Sequence, residues 1–93
     1  MSLYPTHIRE ERTYTKQLER MPRDVAVAAL EAVCLLATTG VGDVTKLKNR
    51  AGLFRLRVGD VRIFFMFISE KSPHEQHKFI ALFEIKWRGG AYK

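Results

Sequence analysis

From Phe54 to Ile63 hydrophobic and polar positions alternate with a period of two, broken only at Gly59-Asp60, and the run stays apolar to Ile68. Such alternation marks a strand with one buried face. A two-residue loop containing Gly between runs rich in Val, Ile, Leu and Phe marks a hairpin. A two-residue loop also sets the register: Val58 faces Val61, Arg57 faces Arg62, Leu56 faces Ile63, Arg55 faces Phe64 and Phe54 faces Phe65. The order Gly-Asp, rather than Asp-Gly, leaves the turn subtype open. One face of the hairpin then holds Phe54, Leu56, Val58, Val61, Ile63, Phe65 and Phe67, all apolar. The other holds Leu53, Arg55, Arg57, Arg62, Phe64 and Met66, with Arg57 directly opposite Arg62. Like charges in that position destabilise a sheet by up to about 1 kcal/mol. An anionic ligand or an acidic partner segment would offset the repulsion.

The rest of the chain reads as support for this hairpin. Residues 4–10 predict a short edge strand, since Pro5 is tolerated only at an edge or a strand start. Tyr14, Leu18 and Met21 recur at helical spacing and predict a helix over about 11–20. Pro22 ends it and suits the first turn of a second helix over about 22–38. That helix shows Val25, Ala28, Ala29, Ala32, Val33 and Leu36 as one stripe, with Gly40 as its cap. Residues 40–52 read as a connector carrying Lys46, Lys48 and Arg50, anchored by Leu47, and residues 69–78 as a polar loop around Pro73 in which His74 and His77 are exposed. Residues 79–88 predict a third long strand, apolar on both faces at its start as a central strand should be. Toward its end Phe83, Ile85 and Trp87 take the apolar face, while Glu84, Lys86 and Arg88 align with the arginines. The expected fold is α+β and a single domain over residues 1–93. A small antiparallel β-sheet, made of a short N-terminal strand and a three-strand meander, carries two helices packed as a hairpin on one face.

Charge sharpens this picture. The net charge is +6, but residues 1–43 hold five Lys+Arg and six Asp+Glu, whereas residues 44–93 hold eleven and four. The basic half is therefore the hairpin half. Its expected partners are nucleic acid, an anionic membrane surface or an acidic protein. Cys34 is the only cysteine, which excludes an intrachain disulfide and a cysteine metal cluster; its apolar surroundings predict a buried thiol. No Cys or carboxylate set accompanies His74 and His77, so no metal site is expected. The longest mainly apolar run, Val25 to Ala37, is too short to span a bilayer and contains Glu31, which predicts a cytoplasmic protein.

Three features together resemble a known family. They are the segment K-L-K…G-L-F-R-L-R-V-G-D-V-R-I from Lys46 to Ile63, the ending W-R-G-G-A-Y from Trp87 to Tyr92, and the order strand, two helices, three strands. The family is the RelE/ParE superfamily of small toxins of bacterial type II toxin–antitoxin pairs. The resemblance implies two helices over one face of a small sheet and a concave basic face opposite. In the RNA-cleaving branch that face docks in the ribosomal A site, beside 16S rRNA, and cuts mRNA. On that analogy Arg55, Arg62, Arg88 and Tyr92 are the catalytic candidates, and Lys46, Lys48, Arg50, Arg57 and Lys86 would grip RNA phosphates. The implied partners are a cognate antitoxin and mRNA on the ribosome, with no cofactor and no membrane. Two departures stand out: Trp87 occupies a position where many members have His, and Gly89-Gly90 stand where others carry charge. The alternatives are the gyrase-inhibiting branch of the same superfamily and a non-catalytic domain that binds RNA or protein.

Overall fold

The computed structural model of the protein describes residues 7–71, 73 and 76–89. In chain order the elements are β1 (His7–Glu10), α1 (Arg12–Glu19), α2 (Arg23–Thr39), β2 (Asp43–Lys46), β3 (Phe54–Val58), β4 (Val61–Lys71) and β5 (Gln76–Trp87). They build one five-stranded sheet in the order β1-β5-β4-β3-β2. The hairpin register is the one the two-residue loop dictates, from Val58 opposite Val61 to Phe54 opposite Phe65. Gly59 sits at φ 56, a backbone region that costs a residue with a Cβ, so the turn relies on glycine there.

The core forms where the apolar face of β3, β4 and β5 meets the helices. Leu56, Val61, Ile63, Phe65, Ile80, Leu82 and Ile85 from the sheet pack with Tyr14 of α1 and with Ala29, Val33, Leu36 and Ala37 of α2. Those four α2 residues stand at i, i+4, i+7 and i+8, one stripe of a helix. Gly40, at φ 77, ends α2 by donating its N–H to the Leu36 carbonyl at 2.9 Å. Helix α1 is tied to β5 by a polar contact: the Ile85 N–H donates to Gln17 Oε1 at 2.8 Å, on the edge of β5 beyond the reach of β1.

Several sequence expectations need correction. The sheet is mixed, because β1 pairs with β5 in parallel. Residues 4–6 of the expected edge strand lie outside the described residues. A strand, β2, occupies part of the expected connector; Val44 is the only apolar residue of its four, too little apolar pattern to announce a strand. Most of the expected polar loop is also strand, since β4 runs to Lys71 and β5 begins at Gln76. That end is a two-stranded ladder which covers no core, so polar residues suffice for it. The α2 stripe is the expected one over Val25, Ala29, Ala32, Val33 and Leu36, but Ala28 is exposed and Ala37 joins it, and Cys34 is exposed rather than buried. Val27, Leu30 and Leu35 are exposed as well, and a helix apolar nearly all round gives its sequence no unique inward face. Among the described residues no helix is long and apolar enough to cross a membrane.

A β-bulge in β5 has the largest effect on the site. Phe64 pairs with Glu84 and Phe65 with Leu82, which leaves Phe83 as an extra residue. The expected alternation put Phe83 with Ile85 and Trp87 on the apolar face. The bulge instead puts Phe83 beside Glu84, lining a cleft on the opposite face of the sheet.

Tyr14 is 1% exposed. Burial, reinforced by the negative charge of Glu10, pushes its phenol up from 10.0 to about 12. The group is neutral in both folded and unfolded chains below pH 10. As pH rises from 10 toward 12 only the unfolded chain ionises, so stability contributed below pH 10 is lost, at about 1.4 kcal/mol for each pH unit in that window. Denaturant unfolding of the wild type is expected to weaken by roughly 2–3 kcal/mol between pH 9 and pH 12 from this group. Tyr14→Phe is expected to remove that part of the loss, and an unchanged alkaline slope in the variant would contradict the assignment.

Candidate functional site

Directly paired residues share a face of a sheet, so the face away from the helices is built in rows. One row runs Asp43, Arg57, Arg62, Lys86 across β2, β3, β4 and β5; the next runs Thr45, Arg55, Phe64, Glu84. Arg88 follows β5 and is held against the hairpin turn. Its backbone N–H donates to the Asp60 carbonyl at 2.8 Å, and its Nε donates to Asp60 Oδ1 at 3.1 Å.

Arg57 and Arg62 do stand opposite each other, yet their charges are drawn apart. Arg57 Nε turns to Asp43 Oδ2 at 3.8 Å, on the edge strand that the sequence pattern does not reveal. Arg62 folds back on the turn, its Nη1 donating to the carbonyls of Gly59 and Val61 at 2.9 Å each. The repulsion therefore finds an internal offset, and an external anion is not required for it. The pair alone does not call for a ligand.

A cavity of about 430 Å³ points to one more strongly: it is lined by Arg55, Arg62, Lys86 and Arg88, together with Phe64, Trp87 and Gly89. Four cationic side chains converge there. Lys86 is neutralised by Glu84 at 2.8 Å and Arg88 by Asp60, whereas Arg55 and Arg62 have no carboxylate partner among the described residues. Arg55 is half-buried, and its Nε is enclosed without a hydrogen-bond partner among them. An enclosed donor without an acceptor costs at least about 1–3 kcal/mol, more when charged. The pocket is thus suited to an anionic oxygen, which a guanidinium grips bidentately. The Asp60 contact engages the Nε of Arg88, which is one of the five donors of its guanidinium.

Of the residues expected from sequence, Arg55, Arg62, Lys86 and Arg88 come together around this cavity. Arg57 is exposed and turned toward Asp43, and Lys48 is exposed and lines neither this cavity nor its neighbour; Lys46 is exposed too, but it pairs with Phe54 and so lies on the helix face of the sheet, away from the arginines. Arg50 lines the neighbouring cleft, on the same face, together with the expected anchor Leu47. Tyr92 and His74 lie outside the described residues; His77 is an exposed residue of β5. Among the described residues no three His, Cys, Asp or Glu side chains are grouped to hold a metal ion.

Sequence reasoning missed the organising role of Asp60, because its contact with Arg88 spans 28 residues and leaves no local pattern. It also missed Phe83. No local signal marked it: Leu82 and Ile85, three residues apart, are both buried in the structure, which period-two alternation allows only with an extra residue, and the apolar run before Glu84 hides that change of phase.

No protein-family model matches the chain, and neither does any curated protein sequence. Solved structures do. A chain of the archaeal RelE–RelB complex from Pyrococcus horikoshii is 24% identical, with a TM-score of 0.67 over 97% of this chain and 100% of that one. A chain of the toxin–antitoxin complex RelBE2 from Mycobacterium tuberculosis is 22% identical, with a TM-score of 0.65 over 90% and 99%. A chain of the RelB–RelE antitoxin–toxin complex from Methanococcus jannaschii is 15% identical, with a TM-score of 0.64 over 91% and 99%. The chain therefore has the fold found in these RelE–RelB complexes, over nearly its whole described length.

Proposed function

We propose that this protein is the toxin of a type II toxin–antitoxin pair and acts as a ribosome-dependent mRNA endonuclease. The observation that carries the reading is the pocket in which Arg55, Arg62, Lys86 and Arg88 converge, with the Arg55 Nε enclosed and unpartnered. The likeness to chains of RelE–RelB complexes supports both the toxin assignment and an antitoxin partner.

In this reading the RNA supplies its own nucleophile. The 2′-OH attacks the adjacent phosphorus, the P–O5′ bond breaks, and a 2′,3′-cyclic phosphate and a 5′-OH result. The protein's task is to stabilise the extra negative charge of the pentacoordinate phosphorane, which fixed donors do best in an enclosed site. Arg55 and Arg62 supply charge not already neutralised by a carboxylate, and Arg88 supplies a fork held in place by Asp60. Tyr92, as its phenolate, is assigned the proton from the 2′-OH, and solvent water supplies the proton that the departing O5′ takes up to become the 5′-OH. Arg50, Arg57 and Lys48 hold flanking phosphates, which gives affinity without reading sequence.

The second reading is gyrase inhibition. Trp87, at the position where many RelE-like nucleases have His, favours it. Primer extension on mRNA after induction separates the two. Cuts clustered at translated codons are expected; intact mRNA accompanied by DNA-damage signalling would replace the nuclease by the gyrase inhibitor.

Arg62→Ala and Arg88→Ala are each expected to lower ribosome-dependent cleavage by about a hundredfold or more, the cost of one donor to the phosphorane, near 3 kcal/mol. Tyr92→Phe is expected to weaken cleavage strongly. Arg88 and Asp60 form a largely solvent-exposed pair, so its loss should change stability by less than about 1 kcal/mol. Thermal melting run beside cleavage checks the separation; variants that melt normally and cut at the wild-type rate would remove these residues from the mechanism.

An adjacent reading frame is expected to encode a small antitoxin, acidic or amphipathic, that co-purifies with this chain. Harmless expression of the chain alone, with no such neighbour, would contradict the toxin reading.

A further inference from the structure

A second cleft, of about 560 Å³, adjoins the arginine pocket and shares Phe64 and Lys86 with it. Its floor is apolar: Phe64, Met66 and Phe83 from the sheet, Leu47 and Leu53 from the segment around the β2–β3 connection. Phe83 reaches it only because of the bulge in β5. Bulges recur beside functional sites, where they re-aim a side chain. Here the effect is to place a second aromatic ring among those lining the polar face, next to Phe64.

The rim carries charge of both signs, but its acids are already engaged. Glu84 pairs with Lys86 at 2.8 Å and Glu11 with Arg9 at 2.9 Å. Arg12 and Arg50 line the same cleft, and their side chains make no ion pair with any described residue. The uncompensated charge at the rim is therefore positive. A cleft of this volume falls within the usual range of small-ligand sites. It combines aromatic rings, free guanidinium groups and direct continuity with a pocket shaped for an anionic oxygen. A flat ring attached to a phosphate fits all three requirements. Unstacked RNA bases are recognised on aromatic side chains and arginine planes in this manner.

We infer that the cleft is a nucleobase subsite: when the arginine pocket holds a phosphate of the RNA, the base of a nucleotide flanking that phosphate stacks against Phe83 and Phe64, with Arg12 and Arg50 over its edges. The inference rests on the RNA-cleaving reading. It assigns Phe83 to substrate positioning, a role outside the arginine set. Stacking makes the site tolerant of base identity, because every base offers a π-face.

The test is a two-by-two comparison on programmed ribosomes, using messages with an intact base or an abasic residue on either side of the cleaved phosphate, with wild-type protein and Phe83→Ala. The wild type is expected to cut the intact message with a kcat/KM about 5- to 100-fold above that of the message abasic on one of the two sides, the range for one stacked base. Phe83→Ala is expected to cut the intact message at the wild type's abasic rate and to lose nothing more on the abasic message. Phe83→Tyr is expected to restore the difference, and thermal melting of each variant verifies folding. Equal rates of the wild type on all messages would overturn the subsite and leave the nuclease reading standing. The same holds if Phe83→Ala slows intact and abasic messages by the same factor, for Phe83 would then support the site only structurally. Cleavage unchanged by Phe83→Ala together with loss of antitoxin binding would make the cleft a protein-docking surface and overturn the inference. A wild-type protein that cuts no message removes the nuclease reading itself.

Discussion

The register of the β3–β4 hairpin is the constraint on which the rest of the structure depends. Side chains alternate between the faces of a strand, so a slip of one residue would exchange the two sets completely. With the Gly59-Asp60 loop in place, Leu56, Ile63 and Phe65 meet the helices, and Arg55, Arg57 and Arg62 meet solvent. Burial of the apolar set under Tyr14, Val33 and Leu36 then holds the arginine set outward. No arginine can leave that face without drawing an apolar residue out of the core. The same turn also organises the site, since its carbonyls hold Arg62 and its aspartate holds Arg88.

This arrangement makes the charges partly self-contained. Arg57 leans on Asp43, Lys86 on Glu84 and Arg88 on Asp60, so each of these cations has a nearby acid of the chain's own. These exposed pairs contribute little to stability individually. They do fix where guanidinium groups point, and preorganised donors lower a barrier more than mobile ones do. Arg55 is the exception. It is half-buried, lines the pocket and has no carboxylate partner among the described residues, and its Nε is enclosed without an acceptor.

Much of the hairpin was legible in the sequence because its information is local: two runs, one short loop and a strict period. Gly40 was legible as a helix cap for the same reason. What was not legible depends on contacts distant in the chain. The edge strand β2 holds only Val44 as an apolar residue and exists by pairing with β3. The parallel pairing of β1 with β5 joins the two ends of the described chain. Cys34 looked buried because α2 is apolar nearly all round, and its orientation is decided by the sheet it packs on. At the site, period-two alternation brought Arg55, Arg62 and Lys86 to one face, but it assigned Phe83 to the wrong one. The bulge changes the phase of β5 between Leu82 and Ile85, and a run apolar at every position from Phe79 to Phe83 conceals the change.

The central claim is that the arginine pocket acts as a set of forked donors to a phosphate, and not merely as a patch of positive charge. Arg55→Lys tests it most directly, because lysine keeps the charge and loses the planar fork. The measurement is single-turnover cleavage of mRNA on programmed ribosomes, with melting temperature as the control for folding. The account predicts a fall of about a hundredfold in rate, with melting close to that of the wild type. Full activity in Arg55→Lys would contradict it, leaving charge alone as the contribution of this face.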